Sequence, residues 1–185
     1  MAKKDIKHRE IIDKAKQKWQ KKSADEKTAW SRMFRRGVER WILMWNILKR
    51  IEKEFNIDVM GIVREEIWKY SFNVGKNLAK KYKKHGVKEL YDAFNAQFEG
   101  LADPIWLEFD DKVLHKWNRA CPNYQHFKDL GWTDEQIKEA APYFCLQDIG
   151  IMTGFNPKLE VFPQSRLLML GHSHCTYRVE DHGGK

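Results

Sequence analysis

From Ser23 onward the apolar residues recur at three- and four-residue steps. Trp30, Phe34, Val38, Trp41, Trp45 and Leu48 form one such series, the spacing that lines up side chains on one face of a helix. Ser23-Ala24-Asp25-Glu26 reads as a capping box, in which a serine oxygen accepts an early amide and a glutamate reaches back. The pattern predicts a long helix from Ser23 to about Phe55 whose apolar stripe is buried. A second series, Val59, Ile62, Val63, Ile67, Tyr70, Val74, Leu78 and Tyr82, predicts a helix from Asp58 to His85. Gly86 is expected to close it in the left-handed conformation. Gly75, inside that helix, suits close helix packing or the approach of a ligand, packing being the preferred reading. A shorter helix follows from Val87 to about Phe98, ended by Gly100 and Pro104.

The texture then changes to short runs rich in β-formers. Ile105–Phe109 and Lys112–Asn118 predict two strands with Asp110-Asp111 at the turn. Cys121-Pro122 ends the second, because proline donates no ladder hydrogen bond. Thr133-Asp134-Glu135-Gln136 is another capping box and predicts one helix through about Thr153, carrying Cys145 and Asp148. Gly154-Phe155-Asn156-Pro157 breaks that helix. Leu159–Leu170 and Cys175–Glu180 then predict a closing hairpin around Gly171. Helices first, then a small antiparallel sheet with one further helix, is an α+β plan. It divides into a basic leader (1–22) and a single domain (23–185), with a helical half (23–101) and a strand-rich half holding the cysteines (102–185).

Composition narrows the function classes. The 185 residues, 42% hydrophobic and 32% charged, are enough for a real core. The net charge is +8, but residues 1–22 hold nine Lys/Arg against three acids, so the rest of the chain carries only +2. That distribution argues against nucleic-acid binding by the whole domain. The first residues lack a signal peptide's apolar segment, and no run of roughly 18 apolar residues predicts a membrane span. Three widely spaced cysteines make no disulfide framework, so the expected compartment is the reducing cytoplasm. Eight tryptophans imply a bulky core or an aromatic-walled pocket, and the Trp41–Trp45 face is wide enough to join a homo-oligomer interface.

The chemistry-bearing residues gather between Cys121 and Cys175. Gly171-His172-Ser173-His174-Cys175 sets two imidazoles beside a thiol, and an imidazolium lowers a thiol's pKa enough to free a nucleophilic thiolate. Cys175, Cys145 and Cys121 are the candidate nucleophiles, in that order. His174 or His172 is the candidate base, although the two alternate in direction along an extended segment. Asp148, one helical turn after Cys145, is the candidate orienting or substrate-binding carboxylate. Asn156 could bind a substrate carboxylate, or serve only as a turn residue. Trp106, Trp117 and Trp132 could wall a pocket or pack the core. No motif calls for a cofactor. Cys121, Cys145, Cys175 and one histidine would match a Cys₃His zinc or iron set, without the close C-x-x-C pairs such sites use.

Cys121-Pro122, Cys145-Leu146-Gln147-Asp148, Gly154-Phe155-Asn156-Pro157, Gly171 and Cys175-Thr176-Tyr177-Arg178 resemble, in order and spacing, the signature of the L-2-amino-thiazoline-4-carboxylic acid hydrolase family, over roughly residues 60–180. The resemblance implies a hydrolase that opens a small cyclic C=N or amidine-like substrate. Members often carry an acidic residue after the glycine matching Gly171. Here it is His172, which leaves the substrate open. The closing Gly–Cys segment is also similar to vinyl-reductase-like sensor domains, which implies an alternative: a small-molecule-binding module without turnover. A third expectation is a protein-complex subunit that uses the leader and the long helix.

Overall fold

The computed structural model describes residues 24–95 and 99–183; the leader, the Ser23 cap, the Trp30 side chain and residues 96–98, where the third helix is expected to end, lie outside the described residues. Helix α1 spans Ala24–Phe55 and α2 spans Val59–Ala79. A short α3, Val87–Leu90, widens into a π-helical turn at Tyr91–Asn95, and α4 covers Glu99–Ala102. Strands β1 (Pro104–Phe109) and β2 (Val113–Asn118) follow, then α5 (Pro122–Asp129), α6 (Asp134–Phe144) and α7 (Leu146–Phe155). The two-residue β3 (Glu160–Val161), a 3₁₀ turn at Leu168–Leu170 and β4 (Cys175–Glu180) complete the chain. The strands form one antiparallel sheet in the order β1-β2-β4-β3. The α+β plan is therefore the observed architecture.

Local chemistry explains where the elements begin and end. Asp58 caps α2 by accepting from the Gly61 amide at 2.8 Å. That helix stops at Ala79, earlier than the apolar series predicts, because His85 Nε2 donates back to the carbonyls of Ala79 and Tyr82 at 3.0 and 3.2 Å. Gly86 does not end α2 in a left-handed conformation. It opens α3 at φ −79° and donates its amide to the Glu89 carboxylate at 3.0 Å. Asp110 Oδ1 accepts the amides of Lys112 and Val113, tightening the β1–β2 turn. The Thr133 capping box forms: Gln136 N–H donates to Thr133 Oγ1 at 3.3 Å and Thr133 N–H to Gln136 Oε1 at 2.9 Å.

One element is added to the expected plan and two differ from it. The chain after Cys121 is helix α5, started by Pro122 at a position where a missing N–H costs nothing and capped by the Cys121 sulfur. The expected helix from Thr133 to Thr153 is two helices joined at Cys145. Pro142 removes an interior amide from α6, and the Asp148 amide reaches back only three residues, to the Cys145 carbonyl at 3.3 Å. In the closing hairpin only Glu160 and Val161 form ladder pairs with β4; Phe162 and Arg166 add single backbone hydrogen bonds to it at 3.1 Å. The rest of 159–170 is loop and 3₁₀ turn, ending at Gly171 with φ +87°.

Two apolar cores result. One joins α1 to α5 and α6 through Val38, Trp41, Trp45, Phe127, Trp132 and Ile137. The other lies between α2, α7 and the sheet, around Leu90, Phe109, Leu114, Met152, Phe155 and Val179. Trp41 and Trp45 are 6% and 5% exposed, so they fill the first core and are not available to an oligomer interface. The exposed face of α1 carries Met33, Leu43, Met44 and Ile47 instead.

The cores are held in register by the crossing of α2 and α7. Gly75 of α2 faces Gly154 and Ile151 of α7, and Gly150 faces Ser71, so small residues meet small residues along both helices. A Cβ on Gly75 would lie 2.1 Å from the Ile151 carbonyl oxygen, and one on Gly154 would lie 2.0 Å from that of Phe72. Backbone is on the receiving side in both cases, so no rotamer change relieves the clash. Gly154→Ala is expected to cost about 3 kcal/mol or more by forcing the helices apart, whereas Gly37→Ala, in open space on α1, should stabilise by roughly 0.5–1 kcal/mol. Urea unfolding of the two variants checks both signs, and equal effects would refute the crossing as a constraint.

Candidate functional site

The chain buries an uncommon set of polar groups because of the parity of β2. Side chains alternate across a strand, and Leu114 must face the core. Its parity partners Lys116 and Asn118 therefore face inward as well, while Val113, His115 and Trp117 face out. On β4 the inward residues are Cys175, Tyr177 and Val179. The register sets them in cross-strand rows: Leu114 opposite Val179, Lys116 between Trp106 and Tyr177, and Asn118 opposite Cys175. Lys116 is 1% exposed. Its ammonium lies 5.1 Å from the Trp106 ring centre and 5.9 Å from those of Tyr177 and Tyr91, so ring faces replace much of the lost hydration of the cation.

Where this inward row leaves the sheet core, a partly open cavity of about 130 Å³ lies between the two cores. All three cysteines line it, each from a different element. Cys121 comes from the cap of α5, Cys145 from the α6–α7 joint and Cys175 from the start of β4. Lys116, Asn118, Asp148 and Tyr177 supply its polar wall; Phe34, Phe94, Phe144, Leu167 and Met169 supply apolar surface. The π-helical turn is what brings Phe94 there, one helical residue late. Asp148 follows Cys145 by one turn of α7 and receives a 2.6 Å hydrogen bond from the Tyr177 hydroxyl.

The sulfurs are held, not free. Tyr124 N–H donates to Cys121 Sγ at 3.4 Å and Leu168 N–H to Cys175 Sγ at 3.3 Å, while Cys145 Sγ contacts Met169 Sδ at 3.6 Å. Burial pushes the Cys121 thiol up to about 11 and the Cys175 thiol to about 12, against the amide hydrogen bonds that favour the thiolate. Cys145 is driven well above its ordinary value by burial and then by the Asp148 charge. Burial also raises Asp148, opposed by the Tyr177 hydrogen bond and by the attraction of Lys116. At neutral pH the cavity holds three protonated thiols.

The other sequence candidates lie elsewhere. His174 stacks on Trp117 at 4.4 Å on the outer side of the sheet and shares a 2.9 Å hydrogen bond with Ser173. His172 is exposed, its Nδ1 accepting from the Leu167 amide at 3.0 Å. Neither imidazole lines the cavity, because the turn at Gly171 carries both away from Cys175. Trp132 packs on Phe127 in the helical core, and Trp106 lies beneath Lys116. Asn156 is a turn residue, its Nδ2 donating to the His85 carbonyl at 2.8 Å and its Oδ1 accepting from Lys158 N–H at 3.0 Å. The zinc or iron set through Cys121, Cys145, Cys175 and a histidine is not assembled: among the described residues the potential ligand atoms that lie in threes within 4.8 Å belong to Glu160, Glu180 and His182, at the surface.

Lys116, Asn118 and Tyr177 are the wall residues that the sequence reading missed. A signal was present. In Val113-Leu114-His115-Lys116-Trp117-Asn118 either parity buries something awkward, and the strand's choice decides whether Trp117 or Lys116 lies inside.

Two outcomes follow from the electrostatics. Iodoacetamide attacks thiolates, so Cys121 and Cys175 in the folded protein should react at least about 100-fold more slowly at neutral pH than a free thiol of pKa about 8.5; peptide mass spectrometry against an unfolded control measures this, and comparable rates would mean accessible thiolates. Asp148 binds its proton more tightly folded than unfolded. Its contribution is complete below the unfolded value of about 3.9 and is lost as pH rises through the higher folded value. Asp148→Asn, which keeps the shape, should therefore flatten the fall in stability that urea unfolding shows as pH rises above about 4; an unchanged slope would show Asp148 ionised in its ordinary range.

No family model matches the chain, and no curated protein matches it. Among solved structures it is similar to a trafficking protein particle complex subunit 3 from Naegleria fowleri, determined covalently bound to palmitic acid. The TM-score is 0.53 at 13% identity, over 83% of this chain and 95% of that one. The likeness is one of fold: helices on one face of a four-stranded antiparallel sheet.

Proposed function

We propose that this chain is a small-molecule-binding module, with the cavity between its two cores as the site. The observation that carries the reading is the convergence of Cys121, Cys145, Cys175, Lys116, Asn118 and Asp148 on one pocket. Six polar or sulfur-bearing side chains from four separate parts of the chain are an expensive way to line a void that only packs. Binding pockets combine apolar walls with a few convergent polar groups in this way. The similar trafficking-complex subunit, itself bound to palmitic acid, supports ligand binding on this fold. Its long acyl ligand does not fit the cavity as it stands, since a cavity of roughly 150 Å³ holds benzene.

That neighbour is also a complex subunit, and the exposed apolar residues Leu43 and Ile47 on α1 support assembly as a companion role for the same module. Hydrolysis by a member of the thiazoline-carboxylate hydrolase family is the weaker reading. Three sulfurs around one cavity favour it; protonated thiols and the lack of an imidazole on the cavity wall among the described residues weigh against a thiolate mechanism.

Ala102 lines the cavity and is buried, so Ala102→Leu fills space without adding charge. Ligand-observed NMR with fragments of up to roughly six heavy atoms should give binders to the full chain, competitive with one another and at least about ten-fold weaker for Ala102→Leu. Binding that ignores the substitution, or no binders at all, would remove the cavity as a ligand site.

A further inference from the structure

We infer that the cavity takes a small neutral molecule bearing a hydroxyl or an amide N–H, and that the carboxamide oxygen of Asn118 receives this donor. This rests on the cavity being a ligand site, and adds the chemistry that the site selects.

Asn118 ends β2 opposite Cys175, lines the cavity and is 8% exposed. Among the described residues, several buried polar side-chain atoms have no hydrogen-bond partner, and the one on the cavity wall is Asn118 Oδ1. Native proteins keep few such atoms, and each calls for a ligand, an ion or a water to answer it. An amide oxygen accepts from N–H or O–H. The last torsion of an asparagine side chain is broad and two-fold, so the oxygen turns toward a donor in the cavity without moving the strand.

The charged groups of the wall and two of its thiols already have partners. The Tyr177 hydroxyl donates to Asp148 Oδ2 at 2.6 Å, and the Lys116 ammonium lies among the rings of Trp106, Tyr177 and Tyr91. Backbone amides of Leu168 and Tyr124 hold Cys175 and Cys121. An ion entering this space would give up its water without a counter-charge reserved for it, and in apolar surroundings that loss is the larger effect. Phe34, Phe94, Phe144 and Leu167 line the rest of the wall and suit a short apolar body. A hydrocarbon fits that body but leaves Oδ1 unanswered. So does an ether, whose oxygen accepts without donating. An alcohol or an N–H amide meets both demands. By volume the ligand has about six heavy atoms, since a cavity of roughly 150 Å³ holds benzene.

The probes are n-butanol and diethyl ether, which share one formula and differ in the O–H donor, with butylammonium and butyrate as the charged pair. In NMR titrations of the full chain n-butanol should bind about five-fold or more tightly than diethyl ether, the worth of one net hydrogen bond, and more tightly than either ion. Asn118→Leu should bring the preference over the ether below about two-fold. If Asn118→Leu does not fold by circular dichroism, Asn118→Ala replaces it and should lose the preference as well, even where its larger cavity raises both affinities. The comparison of alcohol with ether in the unaltered chain needs neither variant. An ether that binds as tightly as the alcohol, an ion that binds more tightly, or a preference for the alcohol that survives loss of Asn118 would overturn the inference. Ether binding that Ala102→Leu abolishes, without any preference for the alcohol, overturns the donor chemistry while leaving the cavity a ligand site. No binding of any of these probes at millimolar concentration removes both.

Discussion

The contact between the α2 and α7 backbones is the constraint on which the rest of the molecule depends. Where Gly75, Gly150 and Gly154 meet Phe72, Ile151 and Ser71, the helices approach more closely than any side chain would allow. Such closeness fixes the axial position of α7 as well as its distance, because sliding by one residue would drive a Cβ into backbone. The N-terminal turn of α7 carries Cys145 and Asp148. Both are therefore set against the sheet by a contact one to two turns away that involves neither of them. Rigid positioning of this kind suits a recognition site, whose groups must stay within a fraction of an ångström of their places.

A second dependence runs through the sheet. Burying the β2 face that carries Leu114 obliges Lys116 and Asn118 to point inward. Three rings around the Lys116 ammonium, drawn from the π-helical turn, β1 and β4, make that burial tolerable. The polar row then runs on from the packed core into the cavity, where Asp148 of α7 meets it. Sheet and helix layers both contribute polar groups to one cavity. Cysteines fill the remaining wall as small, weakly polar side chains whose protons burial retains. Burial is accordingly the first cause of the raised titration of every acid and thiol on the cavity wall.

Much of the architecture was legible along the chain. The long apolar periods of α1 and α2, the Thr133 capping box and the β1–β2 hairpin each depend on neighbours within a few residues, and each forms close to its expected place. The misplaced boundaries share a cause. His85 ends α2 early by reaching back to its carbonyls, Pro142 and the short Asp148 amide bond divide α6 from α7, and β3 shrinks because beyond Val161 the chain touches β4 only through isolated hydrogen bonds of Phe162 and Arg166. Each depends on side-chain reach or on a distant partner, which periodicity does not register.

By itself the sequence determined the helix-then-sheet order, the apolar faces and the cysteine-bearing third as the place where unusual residues gather, because these are matters of local spacing and composition. Only the tertiary structure decided that the three cysteines share one cavity while His172 and His174 stand outside it, and that Lys116 and Asn118 are wall residues. The physical reason is that strand parity and helix approach are settled by what lies opposite. A residue in β2 cannot show its direction until β1, β4 and α7 have taken their places.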